Sequence, residues 1–302
     1  MVKSFSDIKN MVIKKGGAKI AVAGAEGEAV LESVKKALEN KIIDPVLIGN
    51  REIIKEIAQK VGFDINYAEI IHETDENKIA QKSVELVDND ICDGLMKGKV
   101  STPVILKSVL DNRFNLRTKN LLSHIAVLEV PSYHKLIMIT DGGMVIKPTF
   151  QQKKEILRNG VNVFRNLGLK KLKVAVLAAI EKVNAEMPET QDAEKLAELS
   201  EKGEFSDVII EGPLAVDIAM SKEAAKVKGV ESKISEDVDI FLVPDIACGN
   251  IFAKGLWHFA HAKIGGLIAG ARKPIILLSR SDNAETKLNS IALSILTARE
   301  EI

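Results

Sequence analysis

Short apolar runs alternate with amphipathic segments of helical length over almost the whole chain, and this alternation restricts the fold to parallel α/β architecture. KIAVAGA (19–25) reads as a strand and EAVLESVKKALEN (28–40) as an amphipathic helix. PVLIG (45–49) precedes the helical pattern REIIKEIAQKVG, and DGLMKGKV precedes STPVILKSVLD (101–111). The rhythm changes between 122 and 146, where SHIAVLEV and KLIMITD lie close enough to pair as a hairpin. It then resumes with a helix from about Phe150 to Leu167, the strand KVAVLAAI (173–180), a charged helix near 190–202, DVIIEG (207–212), DIFLVPD (239–245) and a final helix over 283–299.

A chain of 302 residues, 46% of them hydrophobic, can bury the cores of two ordinary domains. The expected organisation is two parallel-sheet α/β domains. The first takes residues 1–122 with 281–302, and the second takes 123–280. More than one crossing between them makes an interdomain cleft the expected ligand site. Forty-two basic side chains balance forty-two acidic ones, so no overall field favours nucleic acid or an anionic membrane, and a small-molecule partner is expected. Two cysteines, Cys92 and Cys248, lie far apart without CxxC spacing, which fits a reducing cytoplasm better than a disulfide or zinc framework. No run approaches the roughly 18 apolar residues of a membrane span.

Several motifs come close to known chemistry and stop short of it. GAEG (24–27) follows a strand and opens a helix, but lacks the three-glycine spacing of a dinucleotide-binding turn and reads as a tight turn. GLMKGKVS (94–101) falls one residue short of phosphate-loop spacing, although Lys97 and Lys99 followed by Ser101 and Thr102 at a helix start suit a phosphate-bearing ligand. His258 and His261 share a face if WHFAHAK is helical, yet too few further ligands accompany them to hold a metal, and none is expected. Cys248 reads as a small packing residue. EGPLAVDIAM (211–220) and VPDIACGNIFAKGL (243–256) each place an acid and a tight turn after an apolar run, where parallel sheets bind ligands. In PIILLSRSDN, Ser279, Arg280, Ser281 and Asp282 follow an apolar run and precede a helix. Residues of this kind serve as a helix cap or as an anion site, and the spacing leaves both open.

Taken together, DGLMKGKVST, LLSHIAVLEVP, TDGGMVIKPTFQQK, EGPLAVDIAMS, VPDIACGNIFAK and LLSRSDNAETKLNSIALSIL resemble the phosphate acetyl/butyryltransferase family in order and spacing along nearly the entire chain. The resemblance implies reversible acyl transfer, acyl-CoA plus phosphate giving acyl phosphate plus CoA, with butyryl the favoured acyl group and direct attack in a ternary complex. Acetyl and other short or branched acyl groups stay open, and the competing readings are a metal-dependent decarboxylating dehydrogenase of the same fold and a non-catalytic binding subunit. It implies a fold similar to the isocitrate and isopropylmalate dehydrogenases. CoA and inorganic phosphate enter as substrates, and no permanently bound cofactor is implied. It further implies a cytoplasmic homo-oligomer built from dimers, with the hairpin around 122–140 as a contact, working beside an acyl-phosphate (butyrate) kinase.

By the same resemblance Arg280 holds phosphate or acyl-phosphate oxygens, and Ser279 hydrogen-bonds the charge that develops at the carbonyl or thiolate. Lys97, Lys99, Ser101, Thr102, Lys107, Asp217, Asn250 and Lys254 match positions expected to bind phosphate or CoA. The chain departs from the family's acetyl-transferring members twice. Thr286 stands where they carry a proton-accepting aspartate, which leaves Asp282 and Glu285 as alternative bases, and Lys107 replaces an arginine.

Overall fold

The computed structural model describes residues 2–277 and 282–297. The chain folds into two compact units, one formed by Phe5–Asn120 with residues 263–297, the other by Leu121–Ala262 with residues 2–4. The strands at Lys263–Ala269 and Ile275–Leu277 therefore belong with the N-terminal half of the chain, whereas the expectation from sequence placed residues up to 280 in the other domain.

The first unit starts with α1 (Phe5–Lys14), β1 (Ala18–Ala23), α2 (Glu28–Glu39), β2 (Ile43–Gly49) and α3 (Arg51–Lys60). It continues with β3 (Glu69–His72), α4 (Glu76–Asp88), β4 (Gly94–Lys97) and α5 (Thr102–Val109). β1 and β4 are buried almost end to end, as strands covered by helices on both faces must be. α2 turns Leu31, Val34 and Ala37 inward at helical spacing. Asn50 starts α3, its side-chain oxygen accepting the amides of Glu52 at 3.1 Å and Ile53 at 3.3 Å.

The second unit opens with β5 (Ser123–Glu129) and β6 (Leu136–Thr140), an antiparallel pair in the register Val127 to Met138. Next come α6 (Phe150–Asn166), β7 (Leu172–Leu177), α7 (Pro188–Glu201), β8 (Val208–Leu214), α8 (Val216–Met220), α9 (Lys222–Val227), β9 (Ile240–Leu242) and α10 (Ile246–Phe259). Its strand order is β5-β6-β9-β7-β8, parallel from β6 onward. Because β9 inserts between β6 and β7, the turns that follow β6 and β9 lie side by side, and Gly142 and Gly249 let the two backbones meet. A Cβ on Gly249 would stand 2.8 Å from the Cα of Gly142.

The chain then returns to the first unit as β10 (Lys263–Ala269), β11 (Ile275–Leu277) and α11 (Ala284–Thr297). The strand order here is β3-β2-β1-β4-β11-β10, parallel except for the β10–β11 pair. Close approach seats α11 on β10. A Cβ on Gly265 would stand 2.8 Å from the Phe5 ring and 3.1 Å from the backbone of Asn289, and Ser290 Oγ accepts the Gly266 amide at 2.9 Å.

The alternation read from sequence reappears in these elements, including the antiparallel pair, and the chain is α/β in both units. The histidine pair does not survive. α10 ends at Phe259, Ala260 caps it, and His261 turns into the left-handed region with φ 52°, so His258 and His261 share no helix face. Among the described residues, no cluster of three or more His, Cys, Asp or Glu side chains is arranged to hold a metal ion.

Candidate active site

In the first unit, β1 is flanked by β2 on one side and by β4 on the other, so the chain runs outward from β1 in both directions. The turns leaving β1 and β4 diverge from the carboxyl ends of neighbouring parallel strands, and such a switch point opens a crevice. A cleft of about 690 Å³ lies here. Glu26, Gly27 and Glu28 wall it after β1, Lys97, Gly98 and Lys99 after β4, and Lys287 of α11 reaches it from a third element.

Two glycines join the walls. Gly24, at φ +74°, lies against Val100, and a Cβ on Gly98 would overlap the carbonyl oxygen of Gly24. The backbones are stitched where they pass, the Gly98 amide donating to Ala23 O at 2.8 Å and the Lys99 amide to Gly24 O at 2.7 Å. GAEG is an irregular loop between β1 and α2, held by the Gly24 and Ala25 amides on Ile48 O where its spacing suggests a tight turn, and half of it faces the cleft.

The lysines differ in how they are held. Lys97 is buried at the end of β4, and its ammonium donates to the carbonyl oxygens of Gly98 at 3.1 Å and Val100 at 3.2 Å, bending the loop around its own side chain. Lys99 is exposed at the rim. Lys287 is only 3% exposed, and its ammonium donates to the backbone carbonyl of Asp282. Burial pushes its amine below the ordinary lysine value, and the carboxylates of Asp282 and Glu32 offset part of that shift. The two acids of the cleft wall have partners. Glu26 accepts the Asn50 amide at 2.6 Å, and Glu28 pairs with Lys60. At the start of α2 the N-cap, Gly27, has no side chain to cap the first-turn amides, so these dipoles also point positive charge at the cleft. Lysines from two elements and a helix start suit a compact anion such as a phosphoryl group.

Of the residues singled out from sequence, Lys97 and Lys99 line this cleft. Ser101 is the N-cap of α5 and Thr102 its first residue. The Ser101 amide donates to Glu76 at 2.6 Å, which fixes the end of the lysine loop. Lys107 is exposed in the last turn of α5 and does not line the cleft. Asp282 is half-buried and linked through its carbonyl to Lys287, whereas Glu285 is exposed and pairs with Lys263 at 3.6 Å. Ser279 and Arg280 lie outside the described residues.

Asp217, Asn250 and Lys254 belong to the second unit. Asp217 lies in the first turn of α8 and pairs with Lys228 at 2.8 Å, and that hydrogen bond lowers its carboxyl below the usual range. Asn250 Nδ2 donates to Gly142 O at 3.2 Å, tying α10 to the turn after β6, and Lys254 is exposed one helical turn later. Reasoning from sequence missed Asp141 in that turn. Its buried carboxylate gathers the amides of His124 at 2.9 Å and of Gly143 and Met144 at 2.8 Å. It also missed Glu26 and Lys287. The available signal for Lys287 was a lysine within TKLNSIALSIL, a stretch otherwise suited to the interior.

Taken on its own terms, the first unit is a mainly parallel α/β fold with lysines from two elements gathered at its switch point. A sequence model of the family described as phosphate acetyl/butaryl transferase matches residues 4–85 and 73–295, and the chain belongs to this family. It is 42% identical over 298 residues to the phosphate butyryltransferase of Clostridium acetobutylicum, with 99% of each chain covered. To the phosphate acetyltransferase of Thermotoga maritima it is 39% identical over 282 residues, covering 93% of this chain and 96% of that one. The crystal structure of a branched-chain phosphotransacylase from Enterococcus faecalis V583 matches with a TM-score of 0.83 at 32% identity, over 94% of this chain and 99% of that one.

Proposed function

We propose that this enzyme transfers a butyryl group between CoA and inorganic phosphate, within the reversible acyl transfer from CoA to phosphate that defines its class. The observation that carries the acyl preference is the end-to-end likeness to a phosphate butyryltransferase, 42% identical with 99% of both chains covered. The lysine-lined switch point supports this reading on the phosphate side, where the reaction needs an anion site.

In this reading a phosphate oxygen attacks the thioester carbonyl, the carbon–sulfur bond breaks, and the proton released by phosphate ends on the CoA thiol. Both reactants sit together, so the site gains rate by holding them and by stabilising the oxyanion, with no covalent acyl-enzyme. We assign Arg280 to the phosphoryl oxygens, Ser279 to the developing charge, and Lys97 and Lys99 to the approach of anionic substrate. Ser101 and Thr102 shape the loop, and Lys107, Asp217, Asn250 and Lys254 complete the substrate-binding assignments. Between the two carboxylates, Asp282 suits the base better than Glu285, because it is half-buried and joined to a residue of the cleft, while Glu285 is exposed in an ion pair.

The expected setting is a cytoplasmic homo-oligomer built from dimers, with an acyl-phosphate kinase consuming the product. Among the described residues no helix is long and apolar enough to cross a membrane.

The test is thiol release from butyryl-CoA with and without inorganic phosphate, repeated with acetyl-, propionyl- and isobutyryl-CoA. Phosphate-dependent release, fastest with butyryl-CoA, is the expected result. Faster release from another thioester overturns the butyryl assignment, and release that ignores phosphate overturns the acceptor. Arg280→Ala is expected to lower turnover by orders of magnitude in a folded protein, and near-normal turnover removes Arg280 from the site.

A further inference from the structure

Lys287 is a lysine where a helix normally presents an apolar residue. It is 3% exposed on α11, among Ile291, Leu293 and Ile295, all buried, and it nevertheless lines the cleft with Lys97 and Lys99. An ammonium carries three N–H donors and keeps its charge in a dry setting only when they find acceptors. Among the described residues, Lys287 gives one of them to the carbonyl of Asp282 and forms no ion pair with a carboxylate. Among the described residues neither cleft carboxylate contacts Lys287: Glu26 accepts the Asn50 amide and Glu28 pairs with Lys60. A buried cation with donors to spare, bordering a cavity that also receives Lys97 and the uncapped start of α2, is completed by an anion with several oxygens.

We propose that Lys287 binds a phosphoryl group of the substrates in this cleft, its remaining N–H donors taking two phosphoryl oxygens while the third holds the Asp282 carbonyl. This rests on the acyltransferase reading for the identity of the substrates, though not for the anion site itself. Two sources share the chemistry, inorganic phosphate (with the phosphoryl end of the acyl phosphate) and the phosphates of CoA. The tether to Asp282 gives the contact a second effect. An oxygen on Lys287 acts on the backbone at Asp282.

Two variants separate charge from tether. Lys287→Met removes both, and Lys287→Gln keeps a donor for the Asp282 carbonyl without the cation. Each is compared with wild type by melting temperature with inorganic phosphate alone, with pyrophosphate and CoA in separate arms, and by the KM of phosphate and of butyryl-CoA. The expected result is a phosphate KM raised at least tenfold in both variants, with loss of the phosphate-induced melting shift and little change in the KM of butyryl-CoA. Loss confined to the pyrophosphate and CoA arms supports the same contact and assigns it to the CoA phosphates. Retention of all three melting shifts, with both KM values within about twofold of wild type, overturns the proposal. So does a variant that loses only kcat, which would reduce Lys287 to a tether. The Gln variant decides the matter if the Met variant does not fold. A wild-type protein that binds phosphate through Lys287 yet shows no acyl transfer would leave this inference standing and remove the proposed reaction.

Discussion

The carboxylate of Glu76, in the first turn of α4, accepts the backbone amide of Ser101 at 2.6 Å, twenty-five residues along the chain. Ser101 makes no side-chain cap of its own for α5, so this bond adds to the Lys99 amide on Gly24 O and the Lys97 ammonium on Val100 O in holding the far end of the loop carrying Lys97, Gly98 and Lys99. Its near end is fixed by the strand pairing of Lys97 with Ala23 and Leu277. Glu76→Ala is expected to cost about 1 kcal/mol of stability. It should also raise the KM of phosphate several-fold with a smaller change in kcat, because it loosens the loop without removing a charge from the cleft. Steady-state kinetics beside a urea melt check both parts, and an unchanged KM would show that the loop keeps its shape without Glu76.

Lys287 also makes a prediction about stability and pH. Its amine titrates below the ordinary 10.5 in the folded protein because of burial, with Asp282 and Glu32 opposing the shift. Lys97, Lys99, Glu26 and Glu28 are the other charged groups lining the cleft it enters. A lysine with a lowered folded value binds its proton more weakly in the native state than in the unfolded one, so its charge destabilises the fold below that value, and the penalty fades as pH rises towards 10.5. Lys287→Met is therefore expected to melt higher relative to wild type at pH 7 than at pH 10, in the absence of phosphate. A difference that is flat across this range would contradict the assignment of a buried ammonium.

The two cysteines separate by burial and position. Cys92 is buried just before β4, and desolvation pushes its thiol up to about 11. Cys248 is exposed near the start of α10, and its thiol is also raised, by desolvation first and by Asp245 second. A maleimide should label Cys248 in the native protein, slowly and faster as pH rises, and reach Cys92 only after unfolding. Peptide mapping after labelling distinguishes the two.

Thr149 closes a capping box at the start of α6, its hydroxyl accepting the Gln152 amide at 3.3 Å while Gln152 Oε1 accepts the Thr149 amide at 2.9 Å. Thr149→Ala is expected to cost about 0.5–2 kcal/mol, measured by urea unfolding. Restoration by Thr149→Ser is the control that ties the loss to the cap.

What the sequence made legible follows from where its signals are strong. Apolar runs of β1, β4, β7 and β9 stand out because both faces of a parallel strand are covered, and Gly98 marks a turn after one of them. That was enough to point at Lys97 and Lys99. Lys287 escaped because periodicity assigns a lysine to the wet face of a helix, and α11 has almost none: from Thr286 to Leu296 every residue but Leu288 is buried. With partners all around, burial no longer follows the 3.6-residue rhythm. His261 failed for a different reason. Nothing in WHFAHAK announces a stop, and the helix ends there through a left-handed residue that is neither glycine nor asparagine. Glu26 was invisible because its role is defined by an amide at Asn50, a relation that only the packing of β2 beside β1 creates.

The order in which strands fill the first unit also sets a timetable. On the ribosome β1, β2, β3 and β4 emerge early, but β11, which pairs with β4, and α11, which carries Lys287, are encoded after residue 262. Between them runs the stretch Leu121–Ala262, which carries β5 to β9 of the second unit. During that interval β4 presents an unpaired edge, the kind of surface that recruits stray strands and chaperones. The nascent enzyme therefore gains the third wall of its cleft only after Leu121–Ala262 has been made, and until β11 follows, β4 has one edge open.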